Sequence, residues 1–492
     1  MPYSLLLQLL NRFLVSFVGL FLVGTSEWSD YMFGEVSFEQ FVYHTRFGMN
    51  GILKTDAGSV HRFFVTAVEI PLVAALLIGA VSLLAEQRWR AGSNRDGAPA
   101  PLWTRGGALV RRLHLLTVVG GVVFFLATFS FGTYVGSLFG PDVFAANYVN
   151  PAGVSLTPTG KPKSLVLIYV ESLEGTYQDT SRFGRDLVAP LTRLQHQYLS
   201  YDTYSQVAGA HWTIAGIVAT QCGVPLKVSL LPSPEDPRQH LRSFLPRATC
   251  LGDILKSHGY ESVFLNGPDL EFADVGTFLK DHGYNRTYGA KEWIQAGEPA
   301  STMTEWGLRD DRLLAHARTE LTQLVANGRP FNLTILTVDS HGPEGLLSDE
   351  CRRRAVKDFP GIITCTAAQV AEFVKFIADK GWLDQVSIVV QGDHIAMENP
   401  IHDILETSKH RTIFNLIVSK PVETKLGDGI DHFDMYPTML ELLGLHPAAG
   451  RMGLGYCMLK RCATPAPPAE RIPQFKDGLL NRSPVYEALW TG

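Results

Sequence analysis

Two long apolar runs near the beginning of the chain constrain its fold more than any other feature. The run Phe63–Ala85 is interrupted only by Glu69 and Pro71, and the run Leu113–Leu138 contains His114 but no formally charged side chain. Each run exceeds the ~20 residues that a helix needs to cross a bilayer. The sequence therefore predicts two transmembrane helices in this region.

A third apolar run, Leu5–Val23, has two interpretations because two polar residues, one of them Arg12, interrupt it. It forms either a membrane helix in which Arg12 snorkels to the interface, or a signal peptide with the apolar region Phe13–Val23. The Gly-Thr-Ser sequence at residues 24–26 is a poor cleavage site, which favours the helix. We expect residues 1–140 to form a membrane region with about three transmembrane helices.

The charges between the two long runs predict the orientation in the membrane. This loop carries six arginines against two acids, and cytoplasmic loops are enriched in Lys and Arg. The outer ends of the hairpin then face the other side of the membrane. We expect a membrane protein, in contact with the bilayer, whose large domain after about residue 140 lies outside the cytoplasm. The charged residues of the loop are Glu86, Arg88, Arg90, Arg95, Asp96, Arg105, Arg111 and Arg112.

Cysteine usage agrees with this orientation, because all six cysteines follow the last apolar run. An even count in an exported domain suggests three disulfides, although six cysteines allow 15 pairings. A zinc cluster is disfavoured, since no C-x-x-C or H-x-x-x-H spacing occurs. The net charge of −5, with no basic and aromatic stripe, gives no indication of a nucleic-acid partner.

After the membrane region, predicted strands alternate with predicted helices. Residues 141–163 are rich in Pro, Gly, Asn and Thr and predict a linker, and residues 164–492 form the expected exported domain. Such alternation is typical of an α/β domain with a mostly parallel sheet and helices on both faces. The predicted strands are Leu165–Val170, Ser262–Leu265, Phe331–Val338, Val386–Val390 and Thr412–Val418, and the predicted helices include Asp311–Ala326 and Ala367–Lys380.

Three of these strands end in ionisable residues. The first leads into Glu171, the third into Asp339 and His341, and the fourth into Asp393 and His394. A lone acid at a strand end is more often solvated, but ligands bind beyond the carboxyl ends of strands in open α/β sheets. Glu, Asp and His together have the composition of a site for a hard or borderline metal.

The stretch "GAHWTIAGIVATQCGVP" after the first strand supplies a candidate nucleophile. Thr213 precedes a small, apolar run and is expected at a helix N-terminus, where backbone N–H groups favour an alkoxide or a phosphate. The simpler interpretation is that Thr213 only caps the helix.

Together these motifs resemble the phosphoglycerol transferases that modify periplasmic glucans, relatives of lipoteichoic acid synthase within the alkaline phosphatase and sulfatase superfamily. The resemblance covers most of residues 160–460 and extends to "VSFEQFVYHTRFGMNG" before the second apolar run. It is carried by "LIYVESLEGTY", "WTIAGIVATQCGVP", "CLGDILKSHGY", "EWGLRDD", "LTVDSHGP", "VVQGDH" and "FDMYPTMLELLG".

The resemblance implies one divalent cation, typically Mn²⁺ with Mg²⁺ or Zn²⁺ as alternatives, and a covalent mechanism. Thr213 would be both ligand and nucleophile, and His341 would contact the substrate phosphate. Ser172 and Glu174 are expected to be turn and surface residues. The remaining implied ligands are Glu171, Asp393 and His394.

The implied reaction moves phosphoglycerol from phosphatidylglycerol to a glucan or similar glycan and releases diacylglycerol. The loop "LNGPDLEFADVG" departs from the His, Trp and Arg cluster of the lipoteichoic-type enzymes, so Asn266 and Phe272 are the candidates for contacting the head group. The expected disulfides are Cys222 to Cys250, Cys351 to Cys365 and Cys457 to Cys462. The resemblance supports the first two, and the third closes a short loop.

Three other functions remain open at this point. A phosphoethanolamine transferase shares the fold and the threonine nucleophile, but the T-A-x-S-x-P-C context is absent after Thr213. A sulfatase-like phosphodiesterase is a weaker alternative, since the C-x-P-S-R sequence is missing. The non-enzymatic alternative is a membrane-anchored sensor, a pseudoenzyme that should have lost a ligand.

Overall fold

The computed structural model describes residues 3–45, 57–93, 108–227, 243–462, 467–468 and 471–491. Its contacts divide the chain into two compact units. The first comprises residues 1–41 and 56–135, and the second comprises residues 42–55 and 136–492. Arg95, Asp96 and Arg105 of the predicted cytoplasmic loop lie outside the described residues.

Apolar helices form the first unit. Two of them have segments long and apolar enough to cross a membrane, Ser4–Phe33 and Val60–Arg90. The run Leu113–Leu138, predicted as continuous, is broken into two helices, Leu113–Thr128 and Phe131–Ser137, that meet at a bend of 59°. The helices from the beginning of the chain are α1 (Tyr3–Phe33), α2 (Phe38–Tyr43), α3 (Ala57–Phe63), a π-helical turn (Phe64–Glu69), α4 (Ile70–Ser93), α5 (Leu113–Thr128) and α6 (Phe131–Ser137).

Glycines bring α1 close to its neighbours. A Cβ on Gly19 would lie 2.4 Å from the backbone oxygen of Thr117, and one on Gly24 would lie 2.2 Å from that of Thr66. Small residues at such crossings allow membrane helices to approach closely. The helix continues past residues 24–26, the poor cleavage site of the signal-peptide interpretation.

A six-stranded sheet organises the second unit, in the order β10-β9-β2-β8-β4-β5. Every neighbouring pair is parallel except β10 and β9, which confirms the mostly parallel sheet. The strands are β1 (Leu156–Pro158), β2 (Ser164–Val170), β3 (Thr203–Ser205), β4 (Glu261–Asn266), β5 (Arg286–Tyr288), β6 (Met303–Thr304), β7 (Gly307–Leu308), β8 (Phe331–Leu336), β9 (Val386–Gly392), β10 (Asn415–Val418), β11 (Gly429–Asp431), β12 (Leu445–Pro447), β13 (Arg451–Met452) and β14 (Gly455–Tyr456).

Helices cover both faces of this sheet. Val166 and Ile168 of β2 belong to one buried cluster with residues of two long helices, α14 and α16. On the opposite face, Tyr169 bonds to Thr220 of α10 over 2.5 Å between the two hydroxyl oxygens. The helices of this unit are α7 (Val143–Asn147), α8 (Thr180–Phe183), α9 (Ala189–Gln195), α10 (Thr213–Cys222), α11 (Leu251–Ser257), α12 (Val275–Asp281), α13 (Ala290–Gln295), α14 (Asp310–Ala326), α15 (Asp349–Arg353), α16 (Phe359–Asp379), α17 (His402–Glu406), α18 (Met435–Leu442), α19 (Arg471–Gly478) and α20 (Pro484–Glu487).

Some predicted boundaries differ from the structure. Helix α16 begins at Phe359 rather than at Ala367, because Asp358 caps it and Pro360 suits its first turn. It is long and apolar enough for a membrane span, yet most of it is buried within the second unit. The predicted linker, residues 141–163, contains α7 and β1, and β1 pairs with β12.

Three disulfides lie in the second unit, and they are the pairs expected from the sequence. Cys222 at the end of α10 is bonded to Cys250 before α11. The other two bridges are Cys351–Cys365 and Cys457–Cys462.

Candidate active site

The site begins with two neighbouring strands that end at the same edge of the sheet. Strands β2 and β9 are parallel and in register, with Val170 opposite Gly392. Glu171 and Asp393 are the next residues of each strand, so the chain direction places both carboxylates at this edge. His394 follows Asp393 directly.

Glu171, Asp393 and His394 form a buried cluster whose potential ligand atoms all lie within 4.8 Å of one another. The Nε2 atom of His394 is 3.5 Å from Oε1 of Glu171 and 3.4 Å from Oδ2 of Asp393. This Oδ2 is buried and has no hydrogen-bond partner among the residues that the structure describes. A buried oxygen without a donor is costly, and two carboxylates with an imidazole suit a divalent cation.

The pKa shifts of the cluster also favour a bound cation. Burial, together with the charge of Glu171, raises the pKa of Asp393 to about 7. Burial by itself lowers the pKa of His394, but the charges of Asp393 and Glu171 outweigh it, so the net shift is upward. The cluster is therefore short of positive charge, which a bound cation would supply.

The turn after β2 orients these side chains. The backbone N–H of Ser172 donates to Oδ1 of Asp393 at 2.9 Å, and its hydroxyl donates to Oε1 of Glu171 at 2.6 Å. Nδ1 of His394 donates to the carbonyl oxygen of Ile395 at 2.8 Å, which leaves Nε2 toward the carboxylates. Ser172 is a turn residue with φ of 55°, as expected, but it is buried.

Thr213 is the first residue of α10, and Trp212 occupies the N-cap position without a side-chain cap. Thr213 is therefore not the cap of its helix. Its Oγ1 lies 3.4 Å from Oε2 of Glu171 and 3.5 Å from Nε2 of His394. The hydroxyl, the two carboxylates and the imidazole thus converge at the amino end of a helix.

A glycine permits this convergence. A Cβ on Gly216 of α10 would lie 2.0 Å from the backbone oxygen of Asp393. No real Cβ fits at that distance, so the helix reaches the strand end only because the residue is glycine. The same oxygen accepts a hydrogen bond from Nε2 of His432 at 3.1 Å.

His432 is buried, and burial lowers its pKa to about 3, so it is neutral. It supports the backbone of Asp393 rather than joining the cluster. The sequence places it at the start of a helical turn, and its partner is 39 residues away in the chain. Its local pattern therefore carries no signal of this role.

The strand-end acid Asp339, which is not among the implied ligands, lies apart from the cluster, and the expected surface position of Glu174 is wrong. Asp339 does not join the cluster, because it packs against Asp310, whose backbone N–H donates to it at 3.2 Å. Glu174 is fully buried rather than on the surface. Its Oε2 accepts from Arg411 at 2.6 Å and from the N–H of Ala396 at 3.2 Å, so the pair ties the turn after β2 to the loop after β9.

The other predicted residues surround a second group of rings. His341 lies on the loop after β8, outside the ligand cluster, and its ring stacks on Trp306. Phe272 packs against the same indole. Asn266 is buried at the end of β4, and its backbone oxygen accepts from Nε1 of Trp293 at 2.7 Å.

Tyr43 is a neighbour that motif reasoning does not single out. Its hydroxyl donates to the backbone oxygen of Ala273, one residue after Phe272, at 2.8 Å. Its ring lies 5.9 Å from that of Trp212, the residue before Thr213. The segment "VSFEQFVYHTRFGMNG", which contributes to the family resemblance, is the only sequence signal for this position.

Comparison with known proteins agrees with this fold and site. The sulfatase family model matches residues 163–445, which include every member of the ligand cluster. The chain belongs to the sulfatase family.

Curated relatives of this sulfatase-family chain include phosphoglycerol transferase I from Citrobacter koseri, 36% identical over 358 residues. That alignment covers 71% of this chain and 45% of the relative. Phosphoglycerol transferase I from Escherichia coli O127:H6 is 36% identical over 312 residues, or 62% of this chain and 40% of the relative. The chain thus spans less than half the length of these relatives.

A solved structure extends the similarity of fold to the N-terminal helices. It is the integral membrane protein lipooligosaccharide phosphoethanolamine transferase A (EptA) from Neisseria meningitidis, at a TM-score of 0.51 and 13% identity. The match covers 94% of this chain and 88% of that one. At this identity the match shows a common fold.

Proposed function

We propose that this protein is a metal-dependent phosphoglycerol transferase that uses Thr213 as a covalent nucleophile. The observation that carries the proposal is the position of the Thr213 hydroxyl, at a helix N-terminus and within 3.5 Å of both Glu171 and His394. The identity to two phosphoglycerol transferases I supports the choice of phosphoglycerol.

Glu171, Asp393, His394 and Thr213 would hold one divalent cation, with Mn²⁺ as the expected ion and Mg²⁺ or Zn²⁺ as alternatives. When bound, such a cation lowers the pKa of a ligating hydroxyl and withdraws charge from phosphoryl oxygens. The unpartnered Oδ2 of Asp393 and the raised pKa of that carboxyl support this ligand set.

The first half of the reaction is attack on phosphatidylglycerol. Thr213 Oγ1 forms a bond to phosphorus while the bond from phosphorus to the diacylglycerol oxygen breaks. The proton of Oγ1 passes to the carboxylate of Glu171, whose Oε2 lies 3.4 Å away, since Nε2 of His394 would be occupied as a ligand of the cation. His341 donates to the leaving oxygen or holds the phosphate.

In the second half, a hydroxyl of a glucan or similar glycan attacks the phosphoglyceryl-threonine. The bond from phosphorus to Oγ1 breaks, and Oγ1 regains a proton. The N-terminus of α10 stabilises negative charge on Oγ1 in both halves. We place the catalytic unit in the periplasm, beside the donor lipid and the acceptor.

The test is a short incubation of the full chain with Mn²⁺ and phosphatidylglycerol, without an acceptor. We expect release of diacylglycerol and one phosphoglycerol group on the tryptic peptide that contains Thr213, measured by mass spectrometry. Thr213→Ala should form no adduct, and Thr213→Ser should form it more slowly because its rotamer is less restricted.

Thr319→Ala is a matched control, since Thr319 is exposed on α14 and its hydroxyl bonds to its own helix. Phosphatidylethanolamine serves as a second donor, and a phosphoethanolamine adduct alone would favour the phosphoethanolamine transferase. Full turnover by Thr213→Ala, or an adduct on Ser172, would refute the mechanism.

A further inference from the structure

Trp306 lies against the ring of His341. The ring centroids are 4.0 Å apart and the planes are inclined by 33°. The indole is only 8% exposed, so the histidine lies against a nearly buried wall.

Trp306 is held by a hairpin that has little freedom to move. It occupies the turn between β6 and β7, and the next residue, Gly307, has φ of 80°. A Cβ on Gly307 would lie 1.9 Å from the backbone oxygen of Gly267, which accepts from the N–H of Leu308 at 3.1 Å. Because Gly267 directly follows β4, the central sheet fixes the indole.

A second aromatic ring, that of Phe272, also contacts Trp306. The ring of Phe272 meets the indole edge to face, with centroids 5.5 Å apart and planes at 83°. Trp306 therefore connects the two residues to which the sequence assigns substrate contact, Phe272 and His341.

The indole of Trp306 helps to fix the orientation of His341. Its Nδ1 donates to the carbonyl oxygen of Gly342 at 2.5 Å, so Nε2 is the nitrogen that can meet a phosphoryl or leaving oxygen. The contact with the indole limits the rotation of the imidazole ring.

We propose that Trp306 is the positioning residue for His341 in phosphoryl transfer. The inference rests on the proposed function and adds to it the aromatic surface that orients His341. The role of Trp306 concerns the chemical step, because a wrongly oriented His341 lowers the rate of the reaction more than it weakens lipid binding.

The test compares kcat and KM for diacylglycerol release in the full chain. Trp306→Ala and the better-filling Trp306→Leu should lower kcat by about 10- to 100-fold with little change in KM. Trp306→Phe should recover most of the loss, since it restores an aromatic face. Trp382→Ala is the control, because Trp382 also makes an aromatic contact, with Phe376 on α16, away from the site.

A double-mutant cycle separates positioning from loss of stability. In a His341→Ala background, removal of Trp306 should cause no further loss, because the two residues act as a unit. Losses that multiply, or a rise in KM with unchanged kcat, would overturn the proposal.

A measurement that needs no turnover keeps the inference distinct from the proposed function. Diethylpyrocarbonate should modify His341 several times faster in Trp306→Leu than in the parent chain, as measured by peptide mass spectrometry, because the stacked face becomes accessible. An unchanged rate would overturn the positioning role. If phosphatidylglycerol releases no diacylglycerol while this rate rises, the proposed function fails and the ring contact stands.

Discussion

Two pairs of buried carboxylates lie at the same edge of the central sheet. Glu171 and Asp393 follow β2 and β9, whereas Asp339 follows β8 and packs against Asp310 at the beginning of α14. Burial raises the pKa of both Asp393 and Asp310 to about 7. By residue type, burial and electrostatics the two pairs resemble each other.

Their partners differ. Asp310 accepts from the backbone N–H of Val338 at 2.7 Å and from that of Asp339 at 3.2 Å, and it donates its own N–H to Asp339. In the part of the chain that the structure describes, no third His, Cys, Asp or Glu joins this pair at ligand distance. Glu171 and Asp393 have an imidazole and a hydroxyl instead. The raised pKa of Asp310 favours a retained proton in one pair, whereas the other pair has the side chains that the proposed cation would need.

The largest expected effect separates the pairs by metal content. Asp393→Asn should lose the metal and lower diacylglycerol release by more than about 100-fold, since even residues that support a ligand cost up to that much. Asp339→Asn should retain the metal, because that acid lies outside the ligand cluster and one of its oxygens accepts the N–H of Asp310. Elemental analysis of the purified variants measures this, and stoichiometric metal in Asp393→Asn would show that the ligand set is wrong.

A smaller effect is expected from Gly216→Ala, which pushes the backbone of Asp393 away from Thr213. Activity should fall by about 10- to 100-fold, because small displacements at a reacting centre are costly. The variant should retain its three disulfides. Gly153→Ala is the control, since a Cβ there meets nothing within 4 Å. Equal activity in the two variants would contradict the close contact between α10 and the strand end.

The smallest effect concerns stability. The folded-state pKa of Asp310, about 7, lies above the unfolded value, so the folded chain holds a proton that the unfolded chain releases. The free energy of unfolding should therefore fall as pH rises from about 4 to about 7, by at most about 1.4 kcal/mol per pH unit from this group. Asp310→Asn should flatten the decline.

Thermal unfolding of the metal-saturated full chain at pH 5, 6 and 7 measures this slope. Asp384→Asn, at an exposed carboxylate, should keep the parental slope. An unchanged decline of the melting temperature in Asp310→Asn would mean that Asp310 is already ionised in the folded state over this pH range.

Much of the sheet could be predicted from the sequence because its strands are continuous apolar runs with turn residues beyond them. Strand β5 was missed, since its three residues, Arg286–Tyr288, are only partly buried and form no such run. The order of the strands in the sheet could not be predicted from the sequence. This order places β2 beside β9 and so makes Glu171 and Asp393 neighbours. Pairing of β2 with β9 joins residues about 220 positions apart.

At the site, too, sequence reasoning fails where a contact joins residues that are far apart in the chain. Thr213 could be assigned to a helix N-terminus, because such a position has a local signature in the sequence. Glu174 was misjudged because its partner, Arg411, is 237 residues away. Asp339 and Asp393 look alike in sequence, and only the groups folded against them distinguish the two acids.

The bridge between Cys222 and Cys250 has a consequence for how the proposed site would assemble. It joins the far end of the helix that begins with Thr213 to α11, the next helix that the structure describes. In a reduced chain this covalent link would be absent, and only non-covalent contacts would hold α10 against the strand ends. Oxidation of this thiol pair would then restrict the position of Thr213.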